Sequence, residues 1–241
     1  MKRIAALLLL AAQGLVQIEP RAGIHVRRCR NLTPGQQAEL RGIYMRTVFP
    51  LVTPQAMDPA HPFPFISNLS LNLLVTVRYP QDDQVALARV KVPVGAGIPR
   101  LLTLASGTVF VPLEDVMAEN LDLLVPGMVV ESVECFRVTR NADLDLEEED
   151  AEDLLEAVEV EVRRRRFGKP VRLEVPVAMS EEMVDLLQRE LELEDDEQVH
   201  RHDGPLDLSG LWSVYALDRP DLKFATLAER AARGPAAQTQ P

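Results

Sequence analysis

The sequence predicts an α+β fold, a mixed and largely antiparallel sheet with helices packed on it, and three observations carry that prediction. The run from Leu69 to Arg78 alternates apolar and polar residues with period two. Two hairpin patterns stand in the first half of the chain, and strand-like and helix-like segments alternate in the second. Early hairpins with later β-α alternation describe a mixed sheet covered by helices.

In chain order, MKRIAALLLLAAQG sets Lys2 and Arg3 before a nine-residue apolar run, Ile4 to Ala12. This has the form of a secretory leader, with the small residues Ala12 and Gly14 suited to a cleavage site, and is too short to span a bilayer as a helix. Leu7, Leu8, Leu10 and Leu15 equally suit the last turns of a soluble helix. Thr33 is then a helix N-cap, with Pro34 at the first helical position and Gln36 closing a capping box, and the helix is expected to run to about Thr47.

The stretch DPAHPFPFISNLSLNLL, Asp58 to Leu74, cannot begin as a helix, because Pro59, Pro62 and Pro64 each fix φ and remove a donor. Phe63, Phe65 and Ile66 are too apolar for a solvated loop, so an ordered, extended connector laid on a core is expected. In the strand that follows, Leu69, Leu71, Leu73, Val75 and Val77 share one face, and Ser70, Asn72, Thr76 and Arg78 largely the other. Tyr79 to Asp83 supplies a turn, and Val85 to Val92 an antiparallel return.

Ser106-Gly107 joins Leu101–Leu104 to Thr108–Val111 in a second hairpin. Leu113, Val116, Met117, Leu121 and Leu124 fall at helical spacing, ended by Pro126-Gly127. Val129 to Thr139 is strand-like, Glu147 to Phe167 a long helix, and Val171 to Val177 a strand. Ser180 caps a helix through Leu191, a short strand spans Val199 to His202, and Leu208 to Leu217 is helical. Residues 225–241 are read as a disordered tail, rich in Ala, Gln and Pro from Glu229 onwards.

The 241 residues, 46% of them apolar, suffice for one main core. A net charge of −11 repels nucleic acid and other polyanions unless basic residues cluster. Cys29 and Cys135, lacking metal-ligand spacing, fit a reducing compartment or one optional disulfide.

The basic cluster is Arg163 to Arg166, and it suits the C-terminal turns of a helix that begins in Asp145 to Asp153, with Glu159–Arg163 and Glu161–Arg165 as i, i+4 pairs. That account is preferred to a phosphate site. His200 and His202 project from one face of their strand, with Asp203 adjacent, but two such ligands do not define a metal centre. Asn141 to Asp145 imitates a calcium loop with its glycine and closing glutamate misplaced. No phosphate-binding loop or nucleophile elbow is present, and neither His25 nor His61 has a nucleophile or carboxylate beside it in sequence. The residues by themselves give a well-formed fold with no catalytic apparatus.

Four runs in series resemble the middle, or head, domain of bacterial polyphosphate kinase: VFPLVTPQAMDPAHPFPFISNLSLNLLV, then TVFVPLEDVMAENLDLLVPG, then ECFRVTRNADLDLEEEDAEDLLEAVEVEVRRRRFGKPVRLEV, then DGPLDLSGLW with LDRPDLKF. The likeness covers Gly23 to Phe224. It implies reversible transfer of the ATP γ-phosphate to polyphosphate through a phosphohistidine, with magnesium. In that family the histidine and the basic tunnel belong to two phospholipase-D-like domains that follow the head domain. The resemblance divides the chain into a remnant of an N-terminal helical domain (1–32), the middle domain (33–224) and the tail (225–241). It implies a non-catalytic scaffold and dimerisation piece that binds no cofactor itself, magnesium and ATP belonging to the full-length enzyme. Its expected partners are copies of itself or the catalytic domains, with no nucleic acid and no integral membrane segment, in the cytoplasm. Arg140 and Asn141, at the end of the Val129–Thr139 strand, are the candidates to face the absent domains, and Arg137 points to the opposite face. The alternatives are a stand-alone adaptor that binds an intact kinase, or a secreted binding protein if residues 1–14 are a leader.

Overall fold

In the computed structural model, residues 23–57, 63–81, 84–95, 97–141 and 168–223 are described. The N-terminal apolar run, His61 with its flanking residues, the long Glu147–Phe167 helix, the Arg163–Arg166 cluster and the tail lie outside the described residues.

Helix α1, Pro34–Ile43, starts as its sequence requires: the Gln36 amide donates to Thr33 Oγ1 at 3.3 Å and the Thr33 amide to Gln36 Oε1 at 3.0 Å. It does not continue as α-helix to Thr47. A π turn, Tyr44–Val48, takes over and leads into a 3-10 turn, Phe49–Leu51, where Pro50 lacks the amide an α-helix would need.

The main sheet has six strands in the order β2-β4-β3-β7-β8-β9: Gln55–Met57, Val85–Lys91, Leu71–Arg78, Val129–Arg140, Pro170–Pro176 and Val199–His202. All pairings are antiparallel except β8 with β9, which run parallel because helix α3, Glu181–Glu190, crosses between them. A smaller sheet orders β1-β6-β5, His25–Val26, Val109–Pro112 and Leu101–Thr103. Helix α2, Leu113–Ala118, follows β6, and the last helix, α4, is Leu211–Tyr215. Among the described residues no helix is long and apolar enough to cross a membrane.

The predicted helix from Leu113 to Leu124 is broken: α2 ends at Ala118, and Leu121–Leu123 is a 3-10 turn. The strand predicted from Leu69 begins at Leu71, because Leu69 adopts φ +58° in a turn closed by the Ser70 amide on Ser67 O.

Strand β3 sits at the sheet's centre and is buried on both faces. Leu71, Leu73, Val75 and Val77 join the core beneath α1 and α2. Leu74 joins a second core with Phe136, Val138, Leu173 and Val175, closed by Met179, Val184 and Leu187 around α3. The proline-rich connector delivers Ile66 into that second core, with Phe63 packed against it. The polar side of β3 is therefore interior: Asn72 is fully buried.

Candidate functional site

The register of three strands assembles a polar cluster on the face of the sheet opposite α3. In β7 and β8, Arg137 is level with Glu174 and Thr139 with Arg172. In β8 and β9, Glu174 is level with His200 and Pro176 with His202. Alternation then gives one face to Arg137, Arg172, Glu174, His200 and His202, while Phe136, Val138, Leu173 and Val175 turn to the core under α3. Arg201, between the two histidines, confirms the alternation by reaching the other way to Met179 O and Glu181.

Glu174 is the hub. Its Oε2 accepts from Arg137 Nη1 at 2.5 Å and its Oε1 from Arg172 Nη2 at 3.1 Å, with His202 Nε2 at 3.5 Å from the same oxygen. The carboxylate side chain is 10% exposed, whereas those of Arg172 and His202 are 39% and 38% exposed, so the acid lies low and the bases form the rim. One carboxylate faces two guanidiniums, and Arg172 Nε and His202 Nε2 are both enclosed without a hydrogen-bond partner. Such a cluster can hold an oxyanion.

Arg140 is placed differently. It is buried on the α3 side, where Nε donates to Ile66 O at 2.6 Å, Nη1 to Gly168 O at 2.8 Å, and its guanidinium lies 4.3 Å from the centre of the Phe65 ring. Its own amide donates to Asn68 Oδ1. Arg140 thus locks the end of the proline-rich connector to the end of β7. Asn141 is exposed, with its amide donating to Lys169 O at 2.8 Å. A Cβ on Gly168 would lie 2.1 Å from Asn141 O, so this close strand crossing requires glycine.

His200 and His202 do share a face, as their spacing predicts, but among the described residues no three His, Cys, Asp or Glu side chains group to hold a metal. His25 sits in β1, its amide donating to Thr108 O. Both cysteines are free thiols, and burial raises both: Cys29 to about 11, helped by Glu119 and Asp115, and Cys135 further still. Neither is a thiolate near neutral pH.

Arg172 and Glu174 do not stand out in the sequence. Their spacing, like that of His200 and His202, puts each pair on one strand face, and that was the available clue; only the register brings the pairs together.

Comparison with known proteins gives one consistent answer. Residues 35–214 match the family model of the polyphosphate kinase middle domain. A polyphosphate kinase of Streptomyces coelicolor is 50% identical over 202 residues, covering 84% of this chain and 26% of that protein. One from Mycobacterium ulcerans is 47% identical over 214 residues, covering 85% and 29%. Among solved structures, the polyphosphate kinase of Porphyromonas gingivalis superposes with a TM-score of 0.66 at 25% identity, over 87% of this chain and 30% of that one. The chain spans between a quarter and a third of the length of these relatives.

Proposed function

Because the chain belongs to the polyphosphate kinase family, we propose that it is the scaffold piece of such an enzyme and catalyses nothing by itself. The observation that supports this most is the pairing of a middle-domain match over residues 35–214 with a span of only 26–30% of the relatives. Transfer of the ATP γ-phosphate to polyphosphate, through phosphohistidine and with magnesium, then belongs to domains outside this match, and ATP and magnesium are held there. The net charge of −11 fits a support kept apart from a polyanion tunnel. Residues 33–224 form the middle-domain unit, and of the candidates Arg140 and Asn141 it is Asn141, by its exposure, that is proposed to stand towards the catalytic domains, Arg140 being engaged within the chain by Ile66 O and Gly168 O. The free thiols fit a reducing cytoplasm.

Purified chain incubated with magnesium, ATP and a polyphosphate primer is expected to make no polymer and to take up no label from ATP. Sustained polymer formation, or phosphohistidine on the chain, overturns the proposal.

A second reading, an adaptor that pairs with further copies or with separately encoded catalytic domains, draws on exposed apolar side chains. Leu51 and Trp212, the latter 69% exposed, are open to solvent, and Tyr215 meets Trp212 edge-on at 5.6 Å between ring centres. Equilibrium sedimentation, alone and with an intact polyphosphate kinase, distinguishes this reading by its masses.

A further inference from the structure

We propose that the side of β7, β8 and β9 that faces away from α3 is a binding site for a phosphoryl oxyanion, held by Arg137, Arg172, His200 and His202 around Glu174. A carboxylate presents two oxygens, and here both are taken, one by Arg137 and one shared between Arg172 and His202. Two guanidiniums and one carboxylate leave a unit of positive charge even with both histidines neutral. Arg172 Nε is left without an acceptor. The cluster is therefore short of acceptors and of negative charge, and a ligand that brings both completes it.

Access and chemistry narrow the ligand. Arg172 and His202 are more than a third exposed, so a small rotation of either side chain turns its donors outwards. Glu174, low in the cluster and engaged on both oxygens, does not confront an arriving anion. Guanidinium forks match the oxygens of phosphate. The row from β7 across β8 to β9 spans roughly 10 Å at the ordinary strand spacing, which is broader than a single phosphate needs and suits a condensed phosphate. In a chain of net charge −11, attraction is confined to this local surplus, and binding is expected to be modest and salt-sensitive. The oxyanion site rests on geometry; the choice of a condensed phosphate as ligand rests on the polyphosphate kinase reading. The triphosphate group could come from an inorganic chain or from a nucleotide, and the experiment separates the two.

The full chain, labelled with nitrogen-15, is titrated at fixed ionic strength with inorganic triphosphate in one arm and ATP in the other. Saturable amide shifts centred on Arg137, Arg172, Glu174, His200 and His202 are expected in both arms. Tighter inorganic triphosphate assigns the site to the inorganic chain, and tighter ATP to the nucleotide. Arg172→Gln and His202→Gln, at the exposed rim, are expected to weaken binding about tenfold each. Arg41→Gln, in an exposed pair with Asp122 on α1, is expected to leave it unchanged. No saturable shift in either arm, shifts centred elsewhere, or rim variants that keep the wild-type melting temperature and bind as wild type overturn the site. Should a rim variant not fold, the wild-type shift map decides. Failure here leaves the scaffold reading standing, since that reading is tested by polymer formation.

Discussion

The two faces of the six-stranded sheet bury charge in different ways. On the face covered by α1 and α2, arginines meet carboxylates: buried Arg100 forks onto Glu114, with Nη2 to Oε1 at 2.6 Å, and half-buried Arg137 takes Glu174. On the face covered by α3, among the described residues, the buried Arg89 and Arg140 meet only neutral oxygens, while the more exposed Arg201 pairs with Glu181. Arg89 gives Nε to Asn72 Oδ1 at 2.8 Å and Nη1 to Gln55 Oε1 at 2.5 Å, and Arg140 gives its donors to Ile66 O and Gly168 O. Burial lowers the pKa of both Arg89 and Arg140, which nonetheless stay ionised. The first face is held by charge pairs and fails when one partner is lost. The second is held by dipoles, and its charges tolerate neutralisation.

The sharpest break of this contrast is Glu114→Gln. It leaves Arg100, 5% exposed, with one neutral amide oxygen in place of the carboxylate, Leu206 O at 3.0 Å and a distant Asp207 at 3.9 Å. An uncompensated buried charge costs about 3 kcal/mol or more, expected as a lower urea midpoint with unchanged slope. Exchanging both partners, Arg100→Met with Glu114→Leu, is expected to recover most of the loss, since an apolar pair of similar volume is near neutral. A single variant within about 1 kcal/mol of wild type would show that the pair carries little.

On the opposite face, Arg89→Met removes a guanidinium whose Nη2 is already enclosed without an acceptor, and strands the buried Asn72 Oδ1, while Gln55, exposed, turns its Oε1 to water. Relief of desolvation offsets part of the lost bonding, so a loss of about 1–2 kcal/mol is expected. Adding Asn72→Leu should return some of it. If Arg89→Met costs as much as Glu114→Gln in the same urea experiment, the two faces do not differ as described.

Features that depend on neighbouring residues were legible in the sequence. The Thr33–Gln36 capping box, the Ser106-Gly107 hairpin and the β3–β4 pairing all follow from local chemistry. The middle-domain likeness was legible as well. What the sequence hid was set by distant packing. Asn72, on the nominally polar side of β3, is buried because a second core under α3 lies against it. Arg140 turns to the backbone of Ile66, 74 residues away, and no side-chain pattern announces a carbonyl. The meeting of Arg137, Arg172 and Glu174 with the histidines of β9 depends on the register of three strands.

The smallest expected effect has the opposite sign and belongs to the α3 face. Glu134, level with Leu74 and on the same face as Phe136, has Oε2 enclosed with no hydrogen-bond partner. Burial raises its pKa above the ordinary carboxylate value of 4.5, with the Ser180 backbone amide pulling the other way. A raised value means that the folded state holds the proton more tightly than the unfolded chain. The stability this group contributes is therefore present below pH 4.5 and is lost as pH rises through the raised value. Glu134→Gln, which keeps an acceptor for the Ser180 amide and carries no charge, should remove that loss. At neutral pH the variant is expected to be more stable than wild type by up to about 1 kcal/mol, with the two converging as pH falls below the ordinary carboxylate range. Thermal melts of both proteins across that range check the sign: a variant less stable at pH 7 would mean that the carboxylate is compensated after all, and that this face pairs charge as the other does.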